Sequence, residues 1–124
     1  MKIVSTTNAP SAIGPYSQAI ISGGMVYTSG QIAIDPQSGN ISATTIEEQT
    51  HRVCQNVKAV LEASGSSLDK VVKTVCFLAD MNDFATFNGI YAQYFTSKPA
   101  RSCVAVKTLP KNVLVEIDTV AEVQ

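Results

Sequence analysis

The sequence has one histidine, three cysteines and no tryptophan among its 124 residues, which removes several kinds of site. His51 stands without an HxxE or HxxxH spacing, so the sequence predicts no metal site. A Cys–His or Ser–His nucleophile would need this same histidine, and nothing in the sequence supports one. The cysteines Cys54, Cys76 and Cys103 form no CxxC pair, which disfavours a disulfide framework and a zinc knuckle. We expect three reduced thiols, two of them in the core.

The sequence also lacks a clear excess of either charge and any long apolar run. Nine basic and ten acidic side chains give a formal net charge of −1, and the lysines form no basic stripe. This balance disfavours binding to nucleic acid or to an anionic membrane. No apolar segment is long enough to span a bilayer, and residues 1–5 lack the apolar part of a signal peptide. We therefore expect a cytoplasmic protein without membrane or nucleic-acid partners.

Glycine-rich phosphate loops are absent as well, since neither GxGxxG nor GKS/GKT occurs. Gly23-Gly24 is better explained as the turn of a hairpin between two short β-prone runs, 18–21 and 25–28. The second run continues towards Ile34, and Gly30 within it marks a bulge or a close approach to the backbone.

The apolar content of 45% and the length predict one domain spanning residues 1–124. Thr45 and Glu48 form a capping box for a first helix, which Gly65 ends. A β-branched strand, 71–78, follows. The apolar face of the first helix consists of Ile46, Val53, Val57, Val60, Leu61 and Ser64.

A second helix is predicted after Asp80 or Asn82, either of which could cap it. Its aromatic stripe has spacings of three, four and three, and we interpret it as core packing rather than a cofactor site. The stripe consists of Phe84, Phe87, Tyr91 and Tyr94. Two closing strands, 101–106 and 113–121, complete the order β-β-β-α-β-α-β-β, whose first strand is short.

Two helices can cover only one face of such a sheet. On the last strand the alternate residues 113, 115, 117, 119 and 121 share one side, and 114, 116, 118 and 120 share the other. Neither side is uniformly polar, so the uncovered face is too apolar for water. We therefore expect a homo-oligomer that buries it.

Arg101 and Glu116 are two opposite charges placed in otherwise apolar strands. An unpaired buried guanidinium is costly, and its planar fork fits a carboxylate of the protein or of a ligand. Arg101 and Cys103 point to the same face of their strand. If the last two strands pair as a hairpin, Glu116 lies near the turn and Arg101 far from it. This disfavours a direct contact, but an ion pair and a binding site both remain open.

Several motifs, in order along nearly the whole chain, resemble the RidA (YjgF-type) family. The N-terminal motifs are 12–19 (AIGPYSQA) and 28–32 (TSGQI). The central ones are 56–61 (NVKAVL), 72–74 (VKT) and 83–85 (DFA) with Asn88 and Tyr91. The C-terminal ones are 99–104 (PARSCV), 109–111 (LPK) and 115–117 (VEI). A shorter segment before the Pro-Ala-Arg motif than in many members affects the pocket shape and the preferred substrate side chain.

The resemblance implies a single-domain α+β fold of the chorismate-mutase-like type, with a mixed β-sheet and two helices on one face. It also implies a homotrimer with active sites between subunits. The implied enzyme is a hydrolase of the 2-iminobutanoate/2-iminopropanoate deaminase type. It converts reactive 2-enamine and 2-imino acids, such as 2-aminoacrylate, to 2-keto acids and ammonia. Removing these intermediates protects pyridoxal-phosphate enzymes, and no cofactor is implied because the substrate is already activated.

The resemblance also implies roles for individual residues. Arg101 clamps the substrate carboxylate, and Glu116 orients water and moves protons, with Tyr16 as the third catalytic residue. Apolar surroundings would raise the pKa of Glu116, whereas a nearby Arg101 would lower it, so both protonation states stay open. The implied substrate-binding residues are Ser29, Gly30 and Cys103, the last through its backbone, and Asn88, which holds the loops around the cleft.

Two other functions compete with the deaminase. A non-catalytic regulatory protein could use the same cleft to bind a small carboxylate. A ribonuclease or translation inhibitor, a role associated with the wider family, is disfavoured by the slightly acidic charge balance.

Overall fold

In the computed structural model, which describes residues 1–123, six strands and two α-helices follow the predicted order. The strands are β1 (Lys2–Val4), β2 (Ala19–Ser22), β3 (Met25–Thr28), β4 (Val71–Leu78), β5 (Ala100–Ala105) and β6 (Val115–Glu122). The helices are α1 (Ile46–Ala63) and α2 (Phe84–Tyr94). The α+β prediction is thus confirmed.

Helix α1 begins and ends where its sequence signals predict. The Thr45 hydroxyl accepts a hydrogen bond from the Glu48 amide, and the Glu48 carboxylate accepts one from the Thr45 amide. This pair satisfies two backbone donors that the first turn leaves free. After the last turn Gly65 adopts a φ of +78°, which favours glycine and ends the helix. The predicted apolar face is buried.

Helix α2 is preceded by a 3₁₀ turn, Met81–Asp83, that alters the predicted start. The Asp80 carboxylate caps this turn by accepting from the Asn82 amide at 2.8 Å, so Asn82 is not itself a cap. The helix proper starts at Phe84, without a side-chain cap.

The last two strands do not pair with each other as the hairpin considered for them. β5 lies parallel to β4 at the edge of the sheet, and β6 lies between β3 and β4, antiparallel to both. The reason is that α2 joins β4 to β5 as a crossover, and such a connection places two parallel strands side by side. The strand order is β1-β2-β3-β6-β4-β5.

The predicted extension of the second hairpin strand to Ile34 is also wrong. β3 ends at Thr28, and beyond it only Gln31 forms a bridge, to Ile117 of β6. Two backbone hydrogen bonds of 2.8 and 3.1 Å make this bridge. The segment after β3 therefore rests on β6 without forming a regular strand.

One face of the sheet is covered by the helices and the other is open. Residues 115, 117, 119 and 121 of β6 are buried beneath α1, and the alternate residues are only partly buried. On the open face Tyr27 and Val104 each remain 47% exposed, and Ile3 remains 62% exposed. The expected apolar, uncovered face is therefore present in the single chain. Neither described helix combines the length and hydropathy needed to cross a membrane.

Replacing Thr45 by alanine should lower the free energy of unfolding by about 1 kcal/mol, because the capping box loses its hydroxyl acceptor. Urea unfolding followed by circular dichroism, at one protein concentration, measures the change. Thr45→Ser keeps the acceptor and should unfold close to the parent chain. Equal losses in both variants would contradict the capping explanation.

Candidate active site

Among the described residues 1–123, no carboxylate forms an ion pair with Arg101, which lies on β5. Its Nη1 donates a 2.7 Å hydrogen bond to the Asn88 side-chain oxygen. Its guanidinium carbon lies 4.8 Å from the centroid of the Tyr91 ring and 5.5 Å from that of Phe84. All three neighbours are uncharged, so they orient the guanidinium without neutralising it.

An open cavity of about 610 Å³ adjoins this arginine. Lys98 and Arg101 supply two cationic side chains to its lining, and Tyr91 and Phe95 supply aromatic surface. A cavity with this lining suits a small anionic ligand with an apolar part.

Glu116 lies on β6 and lines a second cavity of about 540 Å³. Burial of the side chain raises the pKa of the Glu116 carboxyl, and the nearby Asp118 carboxylate raises it further. Tyr16, Ser29 and Gly30 line the same cavity. A half-buried carboxyl with a raised pKa is a feature of groups that transfer protons at neutral pH.

Gly30 is in close contact with the Glu116 side chain. A Cβ added at this glycine would overlap the carboxylate and lie 2.8 Å from its carboxyl carbon. The predicted close approach at Gly30 is confirmed. The glycine is needed here for space, since any side chain would displace the carboxylate.

Arg101 and Glu116 project from opposite faces of the sheet. Arg101 pairs with Thr74, which pairs with Thr119, so these three side chains share the helix-covered side. Glu116 lies three residues from Thr119 on β6 and points to the other side. The backbones of the two charged residues are about 14 Å apart across the intervening strand. A direct ion pair between them within one chain is therefore excluded.

The other predicted residues divide between these two faces. Cys103 lies on the same face as Arg101 and is a half-buried free thiol. Burial raises the pKa of the Cys103 thiol, and the Arg101 charge offsets part of that rise. Ser29 donates a 2.6 Å hydrogen bond to the Ser17 carbonyl, and Tyr16, 53% exposed, accepts a 3.4 Å hydrogen bond from the Ile13 amide.

Asn56 lies behind the wall of the Glu116 cavity, and the sequence interpretation did not assign it to the site. Its side-chain nitrogen donates to the carbonyls of Ile32 and Ile34, at 3.0 and 2.9 Å. Both acceptors line the Glu116 cavity, so a buried amide on α1 holds one of its walls. An asparagine within the apolar face of a helix is the signal that could have identified it.

The residues considered for metal or nucleophilic chemistry do not converge. Across residues 1–123 no group of three or more His, Cys, Asp or Glu side chains could hold a metal ion. His51 Nδ1 instead shares a 2.8 Å hydrogen bond with the Tyr94 hydroxyl. Cys54 and Cys76 are buried, and burial raises the pKa of Cys76 to about 12, which makes that thiol inert at neutral pH.

The chain is similar to known proteins over almost its whole length. The family model described as Endoribonuclease L-PSP matches residues 6–123. A 2-iminobutanoate/2-iminopropanoate deaminase of Salmonella typhimurium is 48% identical over 124 residues, covering 97% of this chain and 96% of that protein. A Lactococcus lactis protein, AldR, whose name designates it a candidate regulator, is 50% identical over 125 residues, covering 100% of this chain and 99% of its own.

A solved structure also matches closely. The crystal structure of Escherichia coli TdcF with bound serine has a TM-score of 0.94 and 44% sequence identity. The match covers 100% of both chains. The sequence and structural similarities therefore extend over the same single domain.

Replacing Gly30 by alanine should turn the Glu116 carboxyl towards solvent and lower its pKa towards the ordinary value, since burial is the main cause of the rise. Carbon-13 NMR of the glutamate carboxyl across a pH titration measures this pKa. Gly89→Ala is the matched control, because a Cβ there meets no heavy atom within 4 Å. A folded Gly30→Ala variant with an unchanged Glu116 pKa would contradict the steric argument.

Proposed function

The chain belongs to the endoribonuclease L-PSP family, the RidA (YjgF-type) family that its motifs resemble, and we propose that it hydrolyses 2-enamine and 2-imino acids to 2-keto acids and ammonia. The observation that carries the proposal is that no acidic side chain among residues 1–123 pairs with Arg101. A fixed guanidinium without an acidic partner is suited to a ligand carboxylate, the one constant anionic group of these substrates.

The proposed active site lies between two subunits. A small imino acid cannot reach Arg101 and Glu116 of the same chain, because they project from opposite faces of the sheet. If Arg101 of one subunit faces Glu116 of the next, each interface contains both the guanidinium and the carboxyl that the reaction needs. The exposed apolar side chains of the open face support such an assembly, and we propose the homotrimer that the family resemblance implies.

In the proposed reaction, Arg101 holds the carboxylate bidentately and backbone groups near Cys103 contact the imine or the water. The Glu116 carboxylate accepts a proton from a water molecule as the water oxygen bonds to the imine carbon. Glu116 returns this proton to the imine nitrogen to give a carbinolamine. The carbinolamine nitrogen takes up a second proton, supplied by its hydroxyl through Glu116, as the carbon–nitrogen bond breaks and ammonia leaves. The oxygen that has given up this proton becomes the carbonyl of the keto acid.

The residues around Glu116 suit this role. Its raised pKa makes the carboxylate a stronger base than an exposed glutamate, and Tyr16 and Ser29 place hydroxyl groups at the same cavity. No cofactor enters the proposal, because the substrate imine already reacts with water. Removing such imines would protect the pyridoxal-phosphate enzymes that release them.

A regulatory protein without catalysis is the second candidate function. The relative AldR is named as a candidate regulator, and the solved TdcF structure contains serine, a small molecule with a carboxylate. Calorimetric binding of a small carboxylate without any turnover of imines would favour this alternative. A ribonuclease, the activity in the family description, is less well supported, since the net charge is −1 and no basic stripe occurs.

Added to a serine or threonine dehydratase reaction, the chain should accelerate keto acid release above the spontaneous rate. Arg101→Ala should lower kcat/KM about 100-fold, because the substrate carboxylate loses its cation. The kcat/KM of Arg101→Lys should fall between those of the parent and of Arg101→Ala, since lysine keeps the charge but not the planar fork. Arg52→Lys changes the other arginine and should match the parent. A folded parent chain without acceleration would exclude the deaminase proposal.

Mixing subunits should test the shared site. Arg101→Ala and Glu116→Gln alone are each expected to retain only a small fraction of the parent activity. In trimers refolded from a 1:1 mixture, one ordered neighbour pair in four combines an intact Arg101 with an intact Glu116. About a quarter of the parent activity should therefore return. Mixed trimers that stay as inactive as the single variants would contradict the site shared between subunits.

A further inference from the structure

Tyr91 belongs to the aromatic stripe of α2, but its ring does more than fill the core. The face of the ring lies 4.8 Å from the guanidinium carbon of Arg101, within the distance at which a cation is attracted to an aromatic face. The ring is also stacked on Phe95, with 4.4 Å between the centroids. Tyr91 is thus the aromatic support of the arginine.

The hydroxyl of Tyr91 is fixed from the sheet. It shares a 2.8 Å hydrogen bond with the Thr74 hydroxyl, and Thr74 is fully buried. Thr74 is also the β4 residue that pairs with Arg101 on β5. The strand that sets the position of the arginine therefore also sets the position of the ring beneath it.

This arrangement fixes the orientation of the guanidinium plane and leaves the positive charge of Arg101 without a neutralising partner. Asn88 accepts one hydrogen bond from Arg101, and Tyr91 supports the guanidinium by its ring face. A bidentate contact with a carboxylate requires a defined orientation of that plane, and a free arginine side chain loses considerable rotamer entropy when it adopts one. A support that holds the orientation in advance reduces this loss on binding.

We propose that Tyr91, anchored by Thr74, is a positioning residue that orients Arg101 and thereby makes the site select ligands with a free carboxylate. The inference rests on the proposed function, in which Arg101 binds that carboxylate. An amide of the same shape cannot accept two parallel hydrogen bonds from the guanidinium, so it gains little from the orientation. The selectivity for acid over amide therefore depends on Tyr91 and Thr74.

Calorimetric binding of pyruvate, a 2-keto acid, and of pyruvamide, its uncharged analogue, to the assembled protein tests the proposal without turnover. Tyr91→Phe keeps the ring but loses the hydrogen bond to Thr74, and it should weaken pyruvate binding about threefold. Tyr91→Leu also loses the ring face, and should weaken it about tenfold. Pyruvamide binding should change little in either variant. Tyr94→Phe is the matched control on the same helix, because its hydroxyl contacts His51 instead.

A double-variant comparison separates positioning from general destabilisation. Thr74→Val removes the other partner of the same hydrogen bond, so Thr74→Val combined with Tyr91→Phe should weaken pyruvate binding no more than either alone. Additive losses, or equal losses for pyruvate and pyruvamide, would overturn the inference. Unchanged pyruvate binding in Tyr91→Phe would overturn it too. A parent protein that neither binds pyruvate nor releases keto acid would instead overturn the proposed function.

Discussion

The pairing of β4 with β5 on one side and β6 on the other determines the rest of the site. It sets Arg101 beside Thr74 and Thr74 beside Thr119, which places Arg101 on the helix-covered face. Because side chains alternate along a strand, the same register places Glu116 on the open face. Arg101 and Glu116 are thus kept apart within one chain, and in the proposed site a second chain brings them together.

Each of these charges lies in surroundings that leave its chemistry available. Arg101 is supported by an amide and two aromatic rings, none of which neutralises it. Glu116 is half-buried beside Gly30 and close to another acidic group, Asp118, so its protonated form is favoured relative to an exposed glutamate. In a structural ion pair, a carboxylate would neutralise Arg101, and a cation would lower the pKa of Glu116. The surroundings therefore favour ligand binding over a purely structural role.

Local signals predicted the elements well because they act within a few residues. The capping box from Thr45 to Glu48 spans four residues, and the β-branched run 71–78 forms a strand with the same bounds. The hairpin considered for the last two strands does not form, because neighbours along the chain are not always neighbours in the sheet. The crossover helix α2 instead places β5 beside β4, and β6 lies between β3 and β4.

By itself, the sequence determined the element order, the apolar faces and the family, since periodicity and ordered motifs are properties of the chain. It also indicated Arg101 and Glu116 as charges out of place in apolar strands. Only the tertiary structure decided that they lie on opposite faces, and that the aromatic stripe supports Arg101 through Tyr91. The reason is that strand register and helix packing join residues distant in sequence, and alternation along a strand defines a side chain's face only once its partners are known.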